Sequence, residues 1–247
     1  MFLGAAILIF FLFNLLVNTL INFIPPSVEE KLGEVIAPIY ETQALDSPQQ
    51  KALNQLLDRL GNNLPERQKN SNYQVLYIPE DTVNALAVPG NKVIIYQGLL
   101  KEIDSENELM MVLGHELGHF AHRDHLRVLG NILVLRVTIG YFLGDSNVFT
   151  SILTTTAKAI SKARYSQQQE KQADKFGLML LNKTYNHVGG ATDFFTKLGK
   201  KRISNVDFFA SHPAPAKRVK ELKKLIKKNN YNSGSVLPLP SSLAILK

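Results

Sequence analysis

Gly114-His115-Glu116-Leu117-Gly118-His119 is the stretch from which the rest of the chain is read. It lies on a segment whose start is marked: Ser105, with Glu108 three residues later, fits a capping box, and Leu109, Val112, Leu113, Leu117 and Phe120 then recur on one helical face. On such a helix His115 and His119 are separated by about 40° around the axis, so both imidazoles reach a single ion. Glu116 falls about 60° beyond His119, beside the ion and not on it, where a general base acting on an activated water belongs. Gly114 and Gly118 cost about 1 kcal/mol each relative to alanine in a helix. Their missing side chains let a second backbone or a substrate come close.

The chain has no cysteine and only six histidines. Thiolate ligands, a cysteine nucleophile and a disulfide scaffold are therefore excluded, and a metal has to be held by imidazole and carboxylate. Two candidates compete for the third ligand. His125, ten residues after His115, has the spacing used by one class of metalloproteases, but the turning glycine of that pattern is replaced by His122. On an unbroken helix His125 points about 80° away from His115. The other candidate is Glu170 in Ser166-Gln167-Gln168-Gln169-Glu170-Lys171-Gln172-Ala173-Asp174. Glu170 and Asp174 share a helix face, so one carboxylate can bind metal while the other accepts the ring N–H of a ligand histidine. An isolated pair of this kind is usually solvated surface charge; downstream of His-Glu-x-x-His it is the preferred reading.

At this point the chain resembles the M48 family of membrane-associated zinc metallopeptidases, gluzincins in which His-Glu-x-x-His is followed by Glu-x-x-x-Asp. The likeness runs from about Asn84 to Arg218 and joins four motifs in order: Asn84-Ala85-Leu86-Ala87-Val88-Pro89-Gly90, the metal motif at 114–119, Arg164-Tyr165-Ser166 through Asp174, and Ser211-His212-Pro213 with Arg218. The resemblance implies one zinc ion on His115, His119 and Glu170, Asp174 behind a ligand histidine, and Glu116 as base. It further implies a role for His212 in the catalytic cleft, at the tetrahedral intermediate or as a cover over the metal. Substrate would lie extended against the strand at Asn84 and Ala85, with Arg218 also facing it. The fold class expected is α+β, mainly helical, a zincin-like peptidase domain with a small β-hairpin or sheet.

Outward from this centre, Tyr73–Ile78 alternates in the manner of a strand, and Val83–Val88 and Lys92–Tyr96 flank Pro89-Gly90-Asn91 as a hairpin. Residues from about Ser27 to Leu60 read as helical, closed by Gly61. Residues 2–24 carry no charge; as a helix they extend about 34 Å, enough to cross a hydrocarbon core of about 30 Å before Pro25-Pro26. Asn14, Asn18 and Asn22 share a face of that helix, which suits pairing with another copy or with protein. The segment lacks the basic start and small-residue cleavage site of a signal peptide. Val134–Leu143 is a shorter apolar run interrupted by Arg136, and reads as a buried helix.

The domains expected are a transmembrane helix at 1–24, a peptidase domain at 25–230 and an extended tail at 231–247. The net charge of +7 is concentrated near Lys217–Lys228, where an amphipathic helix packed on the domain is the simplest reading. Without stacking aromatics or a known module it gives no reason to expect nucleic acid. The partners expected are protein or peptide substrates and the lipid bilayer. The location suggested is the bacterial inner membrane, with the peptidase domain outside the cytoplasm. The rival reading is a catalytically idle membrane adaptor on the same fold.

Overall fold

A computed structural model of the chain describes residues 12, 15, 16, 19–69, 71–132, 159, 160, 164–200 and 207–246. Three strands, β1 (Gln74–Ile78), β2 (Ala85–Val88) and β3 (Lys92–Tyr96), form one sheet in the order β1-β3-β2. β2 and β3 make the expected hairpin, in register Leu86 to Ile94. Gly90 and Asn91 both take positive φ, at 87° and 58°, the conformation that short hairpin turns require. β1 pairs in parallel with β3, which makes β3 the central strand.

The helical stretch expected near residues 27–60 is divided. Helix α1 (Pro26–Glu41) and helix α2 (Pro48–Gly61) are separated at Ser47, whose side chain accepts from Gln50 N at 3.2 Å and restarts the helix in front of Pro48. α2 then closes the outer edge of β1. Asn54 Oδ1 accepts from Val75 N at 2.8 Å, Gln50 Oε1 accepts from Tyr77 N at 2.7 Å, and Gln50 Nε2 donates to Val75 O. Amide side chains thus replace a neighbouring strand on an edge that would otherwise recruit one.

Side chains alternate across the sheet. Val75, Tyr77, Ala85, Ala87, Val93 and Ile95 enter the main core with the metal-motif helix; Leu76, Ile78, Leu86, Val88, Ile94 and Tyr96 meet Ile36 and Tyr40 of α1 on the other face. The helices that follow are α3 (Glu66–Lys69), α4 (Gln97–Glu102), α5 (Glu106–Ala121), α6 (Gln167–Tyr185), α7 (Asp193–Lys200), α8 (Asp207–Ser211), α9 (Pro215–Lys228) and α10 (Ser241–Ala244). The result is mainly helical with a small mixed sheet.

α5 begins as its sequence suggests, with Ser105 Oγ accepting from Glu108 N at 3.2 Å, although Glu108 reaches Asp104 N and not the Ser105 N–H of a full box. The C-terminal stretch is extended, but it is not free of the domain. Val188 N donates to Asn232 O, Glu106 N to Leu237 O (2.9 Å each) and Leu237 N to Asn107 Oδ1 (2.8 Å), while Leu243 is buried in the main core. This strap satisfies an N–H in the first turn of α5, one of the groups a helix cannot satisfy itself.

Among the described residues no helix is long and apolar enough to cross a membrane. Most of the 1–24 span, including Asn14 and Asn18, and the Val134–Leu143 run lie outside the described residues. Asn22 is described, and its side chain accepts from Arg127 Nη2 at 3.1 Å.

Candidate metal centre

The centre depends on how closely α5 and α6 approach. A Cβ on Gly118 would lie 2.7 Å from Ala173 Cα, and one on Gly177 2.9 Å from His115 N. The glycines of the metal motif therefore admit a second helix backbone, and that contact lays Glu170 and Asp174 against the two histidines. α6 starts with a full capping box, Gln169 N to Ser166 Oγ at 3.3 Å and Ser166 N to Gln169 Oε1 at 2.8 Å, which fixes the turn carrying Glu170.

Donor atoms of His115, His119, Glu170 and His212 all lie within 4.8 Å of one another. His115 Nδ1 faces Asp174 Oδ1 at 3.0 Å, and His119 Nδ1 faces Asp124 Oδ2 at 3.0 Å. With both Nδ1 atoms bonded to carboxylates, the two Nε2 atoms turn to a common point, 3.1 Å apart. Nitrogen lone pairs cannot face each other at that distance without a cation between them, either a proton or a metal ion. Burial pushes the His115 pKa down to about 4, assisted by Arg218, so that ring is a neutral donor. Burial also opposes charge on His119, but the Asp124 hydrogen bond and Glu170 overcome it and hold its pKa up at about 9. Glu170 completes the set, its carboxylate oxygens 3.5 Å from His119 Nε2 and 3.7 Å from His115 Nε2. Two imidazoles and a carboxylate at this spacing suit an ion with bonds of about 2.0–2.2 Å.

Glu116 is fully buried, and among the described residues neither carboxylate oxygen has a hydrogen-bond partner. Leaving a buried carboxylate uncommitted is costly, so the fold is holding it for something. Among the described residues, His212 faces it, with Nε2 3.6 Å from Oε1. His212 stacks on Phe208 and sets Nδ1 3.0 Å from Glu170 Oε1 and 3.2 Å from His115 Nε2. It thus occupies the position of a fourth donor.

Three of the positions expected to meet substrate are buried. Arg218 is buried, pairs with Asp174 (Nη2 to Oδ1, 2.6 Å) and Glu170 (Nη1 to Oε2, 2.9 Å), and lies 4.1 Å over the Phe195 ring. Burial works to raise the pKa of both carboxyls. At Glu170, His212 and then Arg218 overcome it and hold the carboxyl well below the ordinary range; at Asp174, Arg218 and His115 hold it below its usual value. Ala85 opens the edge strand β2 and Asn84 lies just before it, yet both are buried. Phe208 N donates to Val83 O at 2.9 Å, and Ser211 Oγ reaches Asn84 Oδ1 at 3.3 Å, so the segment leading to His212 is already docked there. His125 is turned away from the cluster, with Nε2 2.8 Å from Glu29, because α5 ends at His122 and Arg123 takes a φ of 58°. His122 bonds Gly118 O at 2.7 Å.

Two residues of the centre were not singled out from sequence. Tyr165 stacks on the His119 ring at 3.8 Å and 12°, and Asp124 holds that ring by Nδ1. Asp124 follows the break in α5, where helical spacing from His119 no longer predicts direction.

A small mixed sheet under paired helices, with a buried histidine–carboxylate cluster between them, defines a metallopeptidase type of domain. The model of peptidase family M48 matches residues 47–226, and the chain belongs to that family. It is 32% identical over 178 residues to metalloprotease YcaL of Escherichia coli K12 (70% of this chain, 68% of the relative) and 30% identical over 181 residues to metalloprotease LoiP of the same organism (70% and 69%). It is 29% identical over 154 residues to mitochondrial metalloendopeptidase OMA1 of Arabidopsis thaliana, matching 61% of this chain but only 31% of that relative's length.

Proposed function

We propose that the protein is a membrane-anchored zinc endopeptidase, with His115, His119 and Glu170 as ligands and Glu116 as general base. The observation that carries this reading is the convergence of two Nε2 atoms and one carboxylate beside a second, uncommitted carboxylate. Bound by those donors, zinc supplies Lewis-acid polarisation of a peptide carbonyl and lowers the pKa of water. Glu116 takes the proton of the attacking water and returns it to the leaving amine. Asp174, fixed by Arg218, keeps His115 in the tautomer that turns Nε2 inward.

His115, Glu116, His119 and His212 are all fully buried, so substrate reaches them only when the covering segment moves. His212 belongs to that cover: lifting the 207–212 segment frees the outer edge of β2 at Asn84 and Ala85 for an extended peptide. The uncharged residues 2–24, and the exposed Leu12, Leu15, Leu16, Leu20 and Phe23, support a membrane anchor ahead of a domain that starts near residue 25. Relatives carrying the name beta-barrel assembly-enhancing protease support a place in envelope protein quality control.

The test is Glu116→Gln in detergent-solubilised full-length protein. It is expected to keep its zinc and lose casein cleavage by about 10²–10⁴-fold, the usual contribution of a general base. Unchanged cleavage overturns the mechanism.

A further inference from the structure

Asp124 is almost fully buried and uses both carboxylate oxygens. Oδ2 faces His119 Nδ1 at 3.0 Å; Oδ1 accepts from Gln169 Nε2 at 2.9 Å and from Arg127 Nη1 at 3.3 Å. Gln169 is itself held at its other end, since its Oε1 accepts from Ser166 N in the capping box of α6. One amide side chain therefore joins the N-terminus of the helix bearing Glu170 to the carboxylate that grips His119. The helices contribute one ligand each at this end of the cluster, and the Asp124–Gln169 bond ties the residue that grips His119 to the start of α6. Tyr165, two residues before Gln167 opens α6, fixes the plane of the same ring by stacking.

We propose that Asp124 is a positioning residue of the metal centre, holding His119 by Nδ1 and, through Gln169, locking that ring in place relative to Glu170. The inference rests on the proposed use of His119 and Glu170 as ligands. Its chemistry is that of any imidazole ligand whose far N–H is held by a carboxylate: tautomer and direction are set before the metal arrives, and loss of such a partner costs about 10–100-fold in metal affinity. Arg127 adds a third hold on the carboxylate and reaches Asn22, so the grip extends to the segment before α1.

The test measures zinc affinity by competition with a chromogenic chelator on full-length protein in detergent, alongside thermal melting of the metal-free forms. Asp124→Ala is expected to bind zinc about 10–100-fold more weakly. Gln169→Leu loses a smaller factor. Ser166→Ala, which removes the Oγ cap but leaves the bonds of Gln169 to Asp124 and to Ser166 N, is expected to lose less than Gln169→Leu. Because Gln169 acts through Asp124, the double variant Asp124→Ala/Gln169→Leu is expected to be no weaker than Asp124→Ala alone. Affinity equal to wild type in Asp124→Ala, or losses that simply multiply in the double variant, overturns the proposal. So does a loss in Gln169→Leu that Ser166→Ala reproduces in full, which reduces the effect to capping. Should Asp124→Ala fail to fold, Gln169→Leu against Ser166→Ala decides the matter. If wild type binds no zinc that His119→Ala abolishes, the ligand assignment falls and this inference with it; normal wild-type binding with an indifferent Asp124→Ala overturns the inference alone.

Discussion

His212 has two neighbours that pull it in different directions. Nδ1 sits among the donors at 3.0 Å from Glu170, while Nε2 looks toward Glu116 and has no hydrogen-bond partner among the described residues. A ring so placed stands where the proposed water would bind and faces the proposed base without bonding it. His212→Ala is therefore expected to raise basal casein cleavage several-fold in solubilised protein, read as initial rate at matched zinc content. A fall in rate would place His212 at the developing oxyanion instead. Among single residues, those whose place depends on helical repeat are the legible ones: His115, Glu116 and His119 can be oriented from spacing, and Glu170 and Asp174 can be set on one helix face, while their separate roles come from the family resemblance. Asp124 and Arg218 cannot be placed in this way. One follows a left-handed residue, and the other reaches the centre from a helix whose basic face suggests solvent.

At the scale of elements, the contact between α5 and α6 governs the geometry of the ligands. An alanine methyl on Gly118 would be 2.7 Å from the backbone of Ala173, closer than such atoms approach, so one helix has to shift. Overpacking of that kind costs about 1–3 kcal/mol, against about 1 kcal/mol gained from helix propensity. Gly118→Ala is expected to lower the melting temperature and to weaken metal binding together, since the shift moves Glu170 from His119. Gly61, at the end of α2, has open space around its Cβ position, and Gly61→Ala is expected to leave stability unchanged or raise it by up to about 1 kcal/mol. A Gly118→Ala protein that melts higher would refute the packing argument. The hairpin is legible from Pro89-Gly90-Asn91, because turn chemistry is local. The parallel pairing of β1 with β3 is not, because a parallel partner is joined by a crossover and not by a local turn.

Across the whole molecule, α1 is joined to the end of the metal-motif helix by charge. Burial works to raise the Glu29 carboxyl pKa, but the His125 hydrogen bond and charge, with Arg123 beyond, hold it below its usual 4.5. A carboxyl with a depressed folded pKa contributes stability that is present above the unfolded value and is lost as pH falls through the folded one. Glu29→Gln is therefore expected to melt below wild type at neutral pH, with the gap closing as pH drops under about 4.5. A gap constant across that range would mean the pair contributes nothing.

The strap formed by residues 232–243 bears on the order in which the protein is made. Asn107 and the N–H of Glu106 lie in the first turn of the helix that carries His115 and His119, and their partner, Leu237, is 130 positions beyond Asn107. A chain still emerging from the ribosome holds every residue of the cluster well before it holds Leu237. Its metal-motif helix meanwhile starts with unmet polar groups, and the main core lacks Leu243. The fold thus defers firm assembly of the His115–His119–Glu170 cluster until those late residues have been synthesised.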